Sequence, residues 1–158
     1  MSIKRLRSVN EPIDEIDRRL LEALNADARQ SVADLARLVG LSAPSVSERI
    51  RRLEEAGVVE GYTIKLNPSA LGLALAAWLR VRPLPGQLET VAGILRSLPQ
   101  VTQCDRITGE DCFLAKVHVR SIAELEKLID KIIPHAMTNT SIIQSSPVAP
   151  RLPPIGRS

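Results

Sequence analysis

Apolar and polar positions follow different rhythms along this chain, and each change of rhythm marks a change of element. From Ile13 onward Ile16, Leu20 and Leu24 recur every fourth place with Leu21 beside them, the stripe of an amphipathic helix. Asp14 stands where an N-cap belongs, and Asp17 favours the positive end of the helix dipole. A second helix is predicted after Ser31, with Ser31 and Asp34 in capping-box spacing and Leu35, Ala36 and Val39 as its apolar side. Gly40 ends it, because the left-handed residue past a helix end is least costly without a Cβ. Ser42 then caps a third helix, with Pro44 in the first turn, where a missing N–H does least harm. Val46, Ile50 and Leu53 of that helix fall within an arc of roughly 60°. Gly57 closes it, and "VVEGYTI" alternates loosely, suggesting a short strand or wing.

After "KLNPSALG" the pattern shifts. "LALAAWLRVRP" is apolar nearly throughout and is predicted to be a strand buried on both faces. Pro83, Pro85 and Gly86 break it, and Leu88, Val91, Ala92, Leu95 and Leu98 form a helical stripe. "VTQCDRI" and "CFLAKVHV" read as two strands joined by "TGED". A last helix starts at Ser121, with Leu125, Leu128, Ile129 and Ile132 facing the core, and "MTNTSIIQS" is a final strand. The expected class is α+β. A winged helix-turn-helix spans residues 13–63 and a linker 64–72. A ferredoxin-like (ACT-like) βαββαβ domain spans 73–146, and a proline-rich tail 147–158.

The third helix poses the functional question. Its core stripe occupies one side, yet Ser45, Ser47, Glu48, Arg51 and Arg52 occupy the other, and Arg49 flanks the stripe. In a helix-turn-helix the second helix of the pair enters the major groove with its N-terminal residues at base edges. Small hydroxyls at the leading end, Ser42, Ser45 and Ser47, suit that approach. Arg51 and Arg52 can reach phosphate or guanine, and Glu48 can accept from cytosine or orient an arginine. Arg49 can touch the DNA backbone or bridge to a neighbouring acid. The bland alternative is a solvated charged face. Cap, turn glycine, preceding helix and following wing together favour double-stranded DNA as the partner.

Composition adjusts this picture little. Net charge is +3, but up to Tyr62 there are ten Lys/Arg against eleven Asp/Glu, so attraction to phosphate rests on local placement. Lys4, Arg5 and Arg7 form a basic arm read as a disordered tail. Aromatics are 2% of the chain, which disfavours stacking platforms for single strands. The two cysteines, Cys104 and Cys112, make no disulfide framework; Cys104 is expected to be a small buried residue. His118 is expected on a polar strand face and His135 in a loop. No nucleophile–base pair, metal-ligand cluster or phosphate-binding glycine loop stands out, so no catalytic residue, metal or cofactor is expected. Without a signal-like or bilayer-length apolar run, the expected setting is the cytoplasm, away from membranes.

The segments "IDEIDRRLLEALNADAR", "VADLARLVGLSAPSVSERIRRLEEAGVVEGYTIKLNP", Leu71-Gly72 and "TGEDCFLAKV" together resemble the leucine-responsive regulator/AsnC (Lrp/AsnC) family of prokaryotic transcription factors, from about Ile13 to Gln144. The resemblance implies a sequence-specific DNA-binding regulator. It also implies homodimers formed through the βαββαβ sheets, and larger assemblies, often octamers. A small effector, typically an amino acid, would bind between these domains, near Thr108, Gly109, Glu110, Asp111 and Cys112, with Thr138 and Thr140 of the last strand. Two departures stand out. Many members carry an aspartate immediately before the aromatic of this loop, where this chain has Cys112, and a neutral thiol cannot pair with an α-ammonium. "IIPHAM" replaces a common Pro-Gly-Val. Two rival functions are a nonspecific architectural DNA binder and a metabolite-sensing interaction module.

Overall fold

A computed structural model describes residues 13–151, 153 and 154, so the basic arm at Lys4, Arg5 and Arg7 lies outside the described residues. The chain divides into two compact units, the residues up to Ile64 grouped with those from Pro150 onward, and Lys65–Ala149, each with its own core.

The first unit holds three helices, α1 (Glu15–Ala26), α2 (Val32–Val39) and α3 (Ala43–Glu55). Each begins at the cap residue its sequence predicts. Asp14 accepts from Asp17 N at 2.7 Å, Ser31 from Asp34 N at 3.1 Å and Ser42 from Ser45 N at 3.3 Å. Gly40 sits at φ 74°, a left-handed conformation that lets α2 stop and α3 start across one short turn. Leu20, Leu35 and Val46, one from each helix, are fully buried at the centre of the core. The expected wing is absent: residues 58–68 form no strand. Loose alternation alone does not make a strand, since a strand needs a hydrogen-bonding neighbour, and the described part of this unit offers none. Tyr62 instead donates its hydroxyl to Glu54 at 2.8 Å, tying the segment to the end of α3.

The second unit opens with a 3-10 turn at Ser69–Leu71. Its order is β1 (Leu75–Pro83), α4 (Leu88–Ser97), β2 (Val101–Arg106), β3 (Phe113–Val119), α5 (Ile122–Asp130) and β4 (Ala136–Ile142). The sheet runs β2-β3-β1-β4 and every pairing is antiparallel, as the βαββαβ reading requires. Side chains alternate across the pleat. Ala77, Leu79 and Val81 of β1, with Phe113, Ala115, Val117 and Val119 of β3, point into one core with Val91 and Leu95 of α4 and Leu125 and Leu128 of α5.

Two expectations fail here for the same reason. β1 was expected to be buried on both faces, but only the face carrying Ala77, Leu79 and Val81 is covered; Trp78 is half-buried and Arg80 exposed on the other. Nor is Cys104 buried; it is exposed. The two helices pack on one side of the sheet, and β2 is an edge strand with five of its six residues exposed. Partial desolvation, with the neighbouring Asp105 carboxylate, still raises the Cys104 thiol pKa. The open face carries Trp78, Arg80, Leu114, Lys116 and His118, and Lys116 Nζ lies 5.6 Å from the Trp78 ring centroid. His118 sits there as expected, its Nδ1 3.0 Å from Thr102 Oγ1, and desolvation with nearby Lys116 lowers its pKa. The last residues, 143–151, 153 and 154, form no helix or strand.

Candidate functional site

α3 distributes its charged residues by angle. With the core stripe at Val46, Ile50 and Leu53, a step of about 100° per residue puts Arg51 and Glu55 nearly opposite the core. Arg49 and Arg52 fall on one flank. The structure follows that geometry. Arg49 Nη1 reaches Asp14 Oδ2 at 2.7 Å and Asp17 Oδ1 at 2.8 Å, and Arg52 Nη2 reaches Asp17 Oδ2 at 2.9 Å. Asp17 is 1% exposed, and it is the buried charged residue among those described. Placed by sequence merely at the positive end of α1, it instead anchors two arginines of α3. Its carboxylate also completes the α1 capping box, accepting from Asp14 N at 3.3 Å. Donating to the Asp14 and Asp17 carboxylates raises the pKa of the Arg49 guanidinium.

The outward face is different. Ser42, Ser45 and Ser47 are exposed, and Ser42 Oγ lies 2.8 Å from Ser45 Oγ at the front of the helix. Arg51 forks onto Glu48, with Nε 3.0 Å from Oε2, and pairs also with Glu55 one turn on. These partners push the Arg51 pKa up, and the hydrogen bond from Arg51 holds the Glu48 carboxyl below its usual range. Both side chains are more than half exposed, so the pair can be remade against another partner at small cost. The seven residues singled out in and before α3 therefore divide: Ser42, Ser45, Ser47, Glu48 and Arg51 face outward, and Arg49 and Arg52 turn toward α1.

The second candidate set lies where β2 turns into β3. Ile107 N donates to Cys112 O at 3.0 Å, and Cys112 N to Val81 O at 3.1 Å, so the loop is stitched to the end of β1. Thr108, Gly109 and Glu110 are exposed, Asp111 and Cys112 half-buried, and Gly109 sits at φ 110°. Arg82, which sequence reasoning passed over, pairs with Glu110, and its Nε lies 3.8 Å from Asp111 Oδ1. Its only sequence signal is alternation, which sets it on the same face as Trp78 and Arg80.

Thr138 and Thr140 pair with Val81 and Leu79, and so belong to the helix-covered face. Cys112 packs against the same core. Within one chain the loop acids and the two threonines thus serve opposite sides of the sheet. His135 Nδ1 lies 3.2 Å from Gln87 Oε1 at the turn into β4. A groove of about 710 Å³ in the first unit, lined by Leu21, Leu24, Val58, Tyr62 and Ile64 among others, includes no residue of either set. Among the described residues no cluster of His, Cys, Asp or Glu could hold a metal ion, and no helix is long and apolar enough to cross a membrane.

Comparison with known proteins supplies the context. Residues 13–54 match the AsnC-type helix-turn-helix domain and residues 76–153 the Lrp/AsnC ligand binding domain. The HTH-type transcriptional regulator LrpA of Mycobacterium tuberculosis is 39% identical over 125 residues, 78% of this chain and 83% of that one. LrpC of Bacillus subtilis is 34% identical over 133 residues, 84% and 92% of the two chains. Its solved structure superposes with a TM-score of 0.82 at 33% identity, over 86% and 97%. The feast or famine regulatory protein of M. tuberculosis, solved in complex with L-methionine, superposes with a TM-score of 0.81 at 36% identity, over 89% and 97%. The chain belongs to the Lrp/AsnC family of helix-turn-helix transcriptional regulators, a family without enzymatic activity.

Proposed function

We propose that α3 reads duplex DNA in the major groove with Ser42, Ser45, Ser47, Glu48 and Arg51, and that Arg49 and Arg52 support it from behind. The observation that carries this reading is the outward face of α3, where capped hydroxyls lead and a forked arginine follows on a helix entered through a left-handed glycine. Acids on the exposed side, Glu48, Glu54 and Glu55, favour a sequence-specific reader over a nonspecific DNA packer, which needs an excess of positive charge.

The effector is an amino acid, as the L-methionine complex of the M. tuberculosis relative suggests. It binds near Thr108 to Cys112 and the Thr138–Thr140 edge. Because those residues serve opposite faces in one chain, a second copy completes the site. The open sheet face around Trp78 and Leu114 supplies a dimer contact, and dimers associate further. Ligand binding biases the arrangement of copies only through unequal affinity for the alternatives. The work of such a regulator lies in the cytoplasm.

The test begins with a duplex selected from a random-sequence library by the protein itself. Arg51→Ala is expected to weaken binding to that duplex and to flatten its dependence on salt by about one unit of slope. Unchanged affinity and slope would remove α3 from the interface. Calorimetric titration with single amino acids tests the effector. Gly109→Val, strained at its positive φ, is expected to abolish the response while ligand-free DNA binding persists. No heat with any amino acid ends that part of the reading.

A further inference from the structure

Arg49 and Arg52 are placed by sequence pattern among the residues that could touch phosphate, yet both end on one carboxylate of another helix, 32 and 35 positions earlier. That carboxylate is almost wholly buried, while Arg51 two positions beyond Arg49 stays on the surface. We propose that Asp17 is the positioning residue of α3: by gripping Arg49 and Arg52 it fixes the angle at which the helix meets DNA and withholds both cations from the phosphates. The proposal rests on α3 being the DNA-reading helix.

The chemistry follows from the acceptors. Asp17 offers Oδ1 to Arg49 and Oδ2 to Arg52, and Oδ2 also accepts from Asp14 N, so one side chain secures the start of α1 and the flank of α3 together. Arg49 spans to Asp14 as well, so the N-cap and a first-turn acid of α1 both hold it. An asparagine at position 17 keeps the size and one acceptor but presents an NH2 where a guanidinium now donates. The two guanidiniums lose the carboxylate charge set between them and at least one of their hydrogen bonds, so the flank of α3 is held less tightly and is more positive. Loss of the anchor therefore raises general attraction to DNA while blurring the geometry that distinguishes sequences. Base contacts demand that geometry; phosphate contacts do not.

The experiment measures the affinity of the full chain, across a salt series at a temperature well below melting, for the library-selected duplex and for a scrambled duplex of equal length. In Asp17→Asn the selected-to-scrambled affinity ratio is expected to fall about tenfold or more, the scale of one lost base contact. The salt slope on scrambled DNA is expected to steepen by about one unit, for the one positive charge that Asp17 no longer offsets. A merely structural role would lower the melting temperature and leave ratio and slope alone, and that result overturns the proposal. Should Asp17→Asn not fold, Arg52→Gln decides. An unchanged slope on scrambled DNA with a reduced ratio supports the strut role. A slope flattened by about one unit makes Arg52 a phosphate contact and overturns it. Arg51→Ala, run in parallel, separates the failures. Loss there with no change in Asp17→Asn removes only the positioning role, and no change in either removes the DNA-reading role of α3 with it.

Discussion

Leu20→Ala is the substitution that most directly probes how the two units share stability. Leu20 is fully buried where α1 meets α2 and α3, in a core with six buried members among the described residues, two of them alanines. Removing it costs about 3–4 kcal/mol, since so small a core has few side chains able to close the void. The described part of this unit, about fifty-five residues, has about 3–8 kcal/mol in all at the usual stability per residue, so the loss consumes a third or more of it. For a domain of this size the first unit's melting midpoint should drop by about 15 °C or more.

The second unit closes a separate core and should be untouched. The chain carries its own reporters, because its single tryptophan, Trp78, lies in β1 and its single tyrosine, Tyr62, in the first unit. Thermal melts followed by tryptophan emission should therefore superpose for wild type and variant. Melts followed by helical circular dichroism should gain an early phase. Tryptophan and helix signals that shift together by the same amount would refute the reasoning, as would a shift under about 5 °C.

Acid should erode stability in a defined window. Hydrogen bonds from Ser31 to Asp34, from Arg51 to Glu48 and from Arg120 N to Glu124 hold these carboxyls below their usual pKa; at Asp14, burial opposes the shift but the Asp17 N–H and Arg49 outweigh it. A carboxyl depressed in the folded state stabilises fully above its unfolded value near about 4 and loses that contribution as pH falls through the folded value. Urea midpoints should thus be flat from about pH 7 to about pH 5 and decline below about pH 4; a decline already complete at about pH 5 would contradict the assignment. Gly40→Val should cost about 1–2 kcal/mol, against a smaller loss for Gly40→Asn, because the penalty is the left-handed backbone and nothing crowds the added Cβ. Equal unfolding midpoints for the two variants would point to crowding instead. Trp78→Glu should shift the mass measured by sedimentation toward the monomer if the open sheet face joins two copies; an unchanged mass would place the contact elsewhere.

The sequence was most informative where rules are local. Caps at Asp14, Ser31, Ser42 and Ser121, the stop at Gly40 and the stripes of five helices depend on neighbours within one or two turns, and each appears as expected. The short Thr108–Asp111 connection sets Cys104 opposite Ala115 by an equally local rule. What escaped depended on distance along the chain. Nothing near Asp17 announces that Arg49 and Arg52 will converge on it. The apolar run of β1 could not reveal that both helices would settle on one side. Arg82 gains meaning only once the β2–β3 loop has folded back to the end of β1.

The strand order also sets a schedule for synthesis. The helices of the first unit meet partners a few tens of residues away, so that unit can acquire its contacts while the remainder is still being made. Leu75–Pro83, by contrast, is an interior strand whose two neighbours are Phe113–Val119 and Ala136–Ile142, the second arriving about fifty residues after it leaves the ribosome. A nascent chain therefore carries an apolar ribbon with a bare edge for several seconds at ordinary translation speeds, and a chaperone, or the same ribbon on a neighbouring polysome, has that interval in which to engage it.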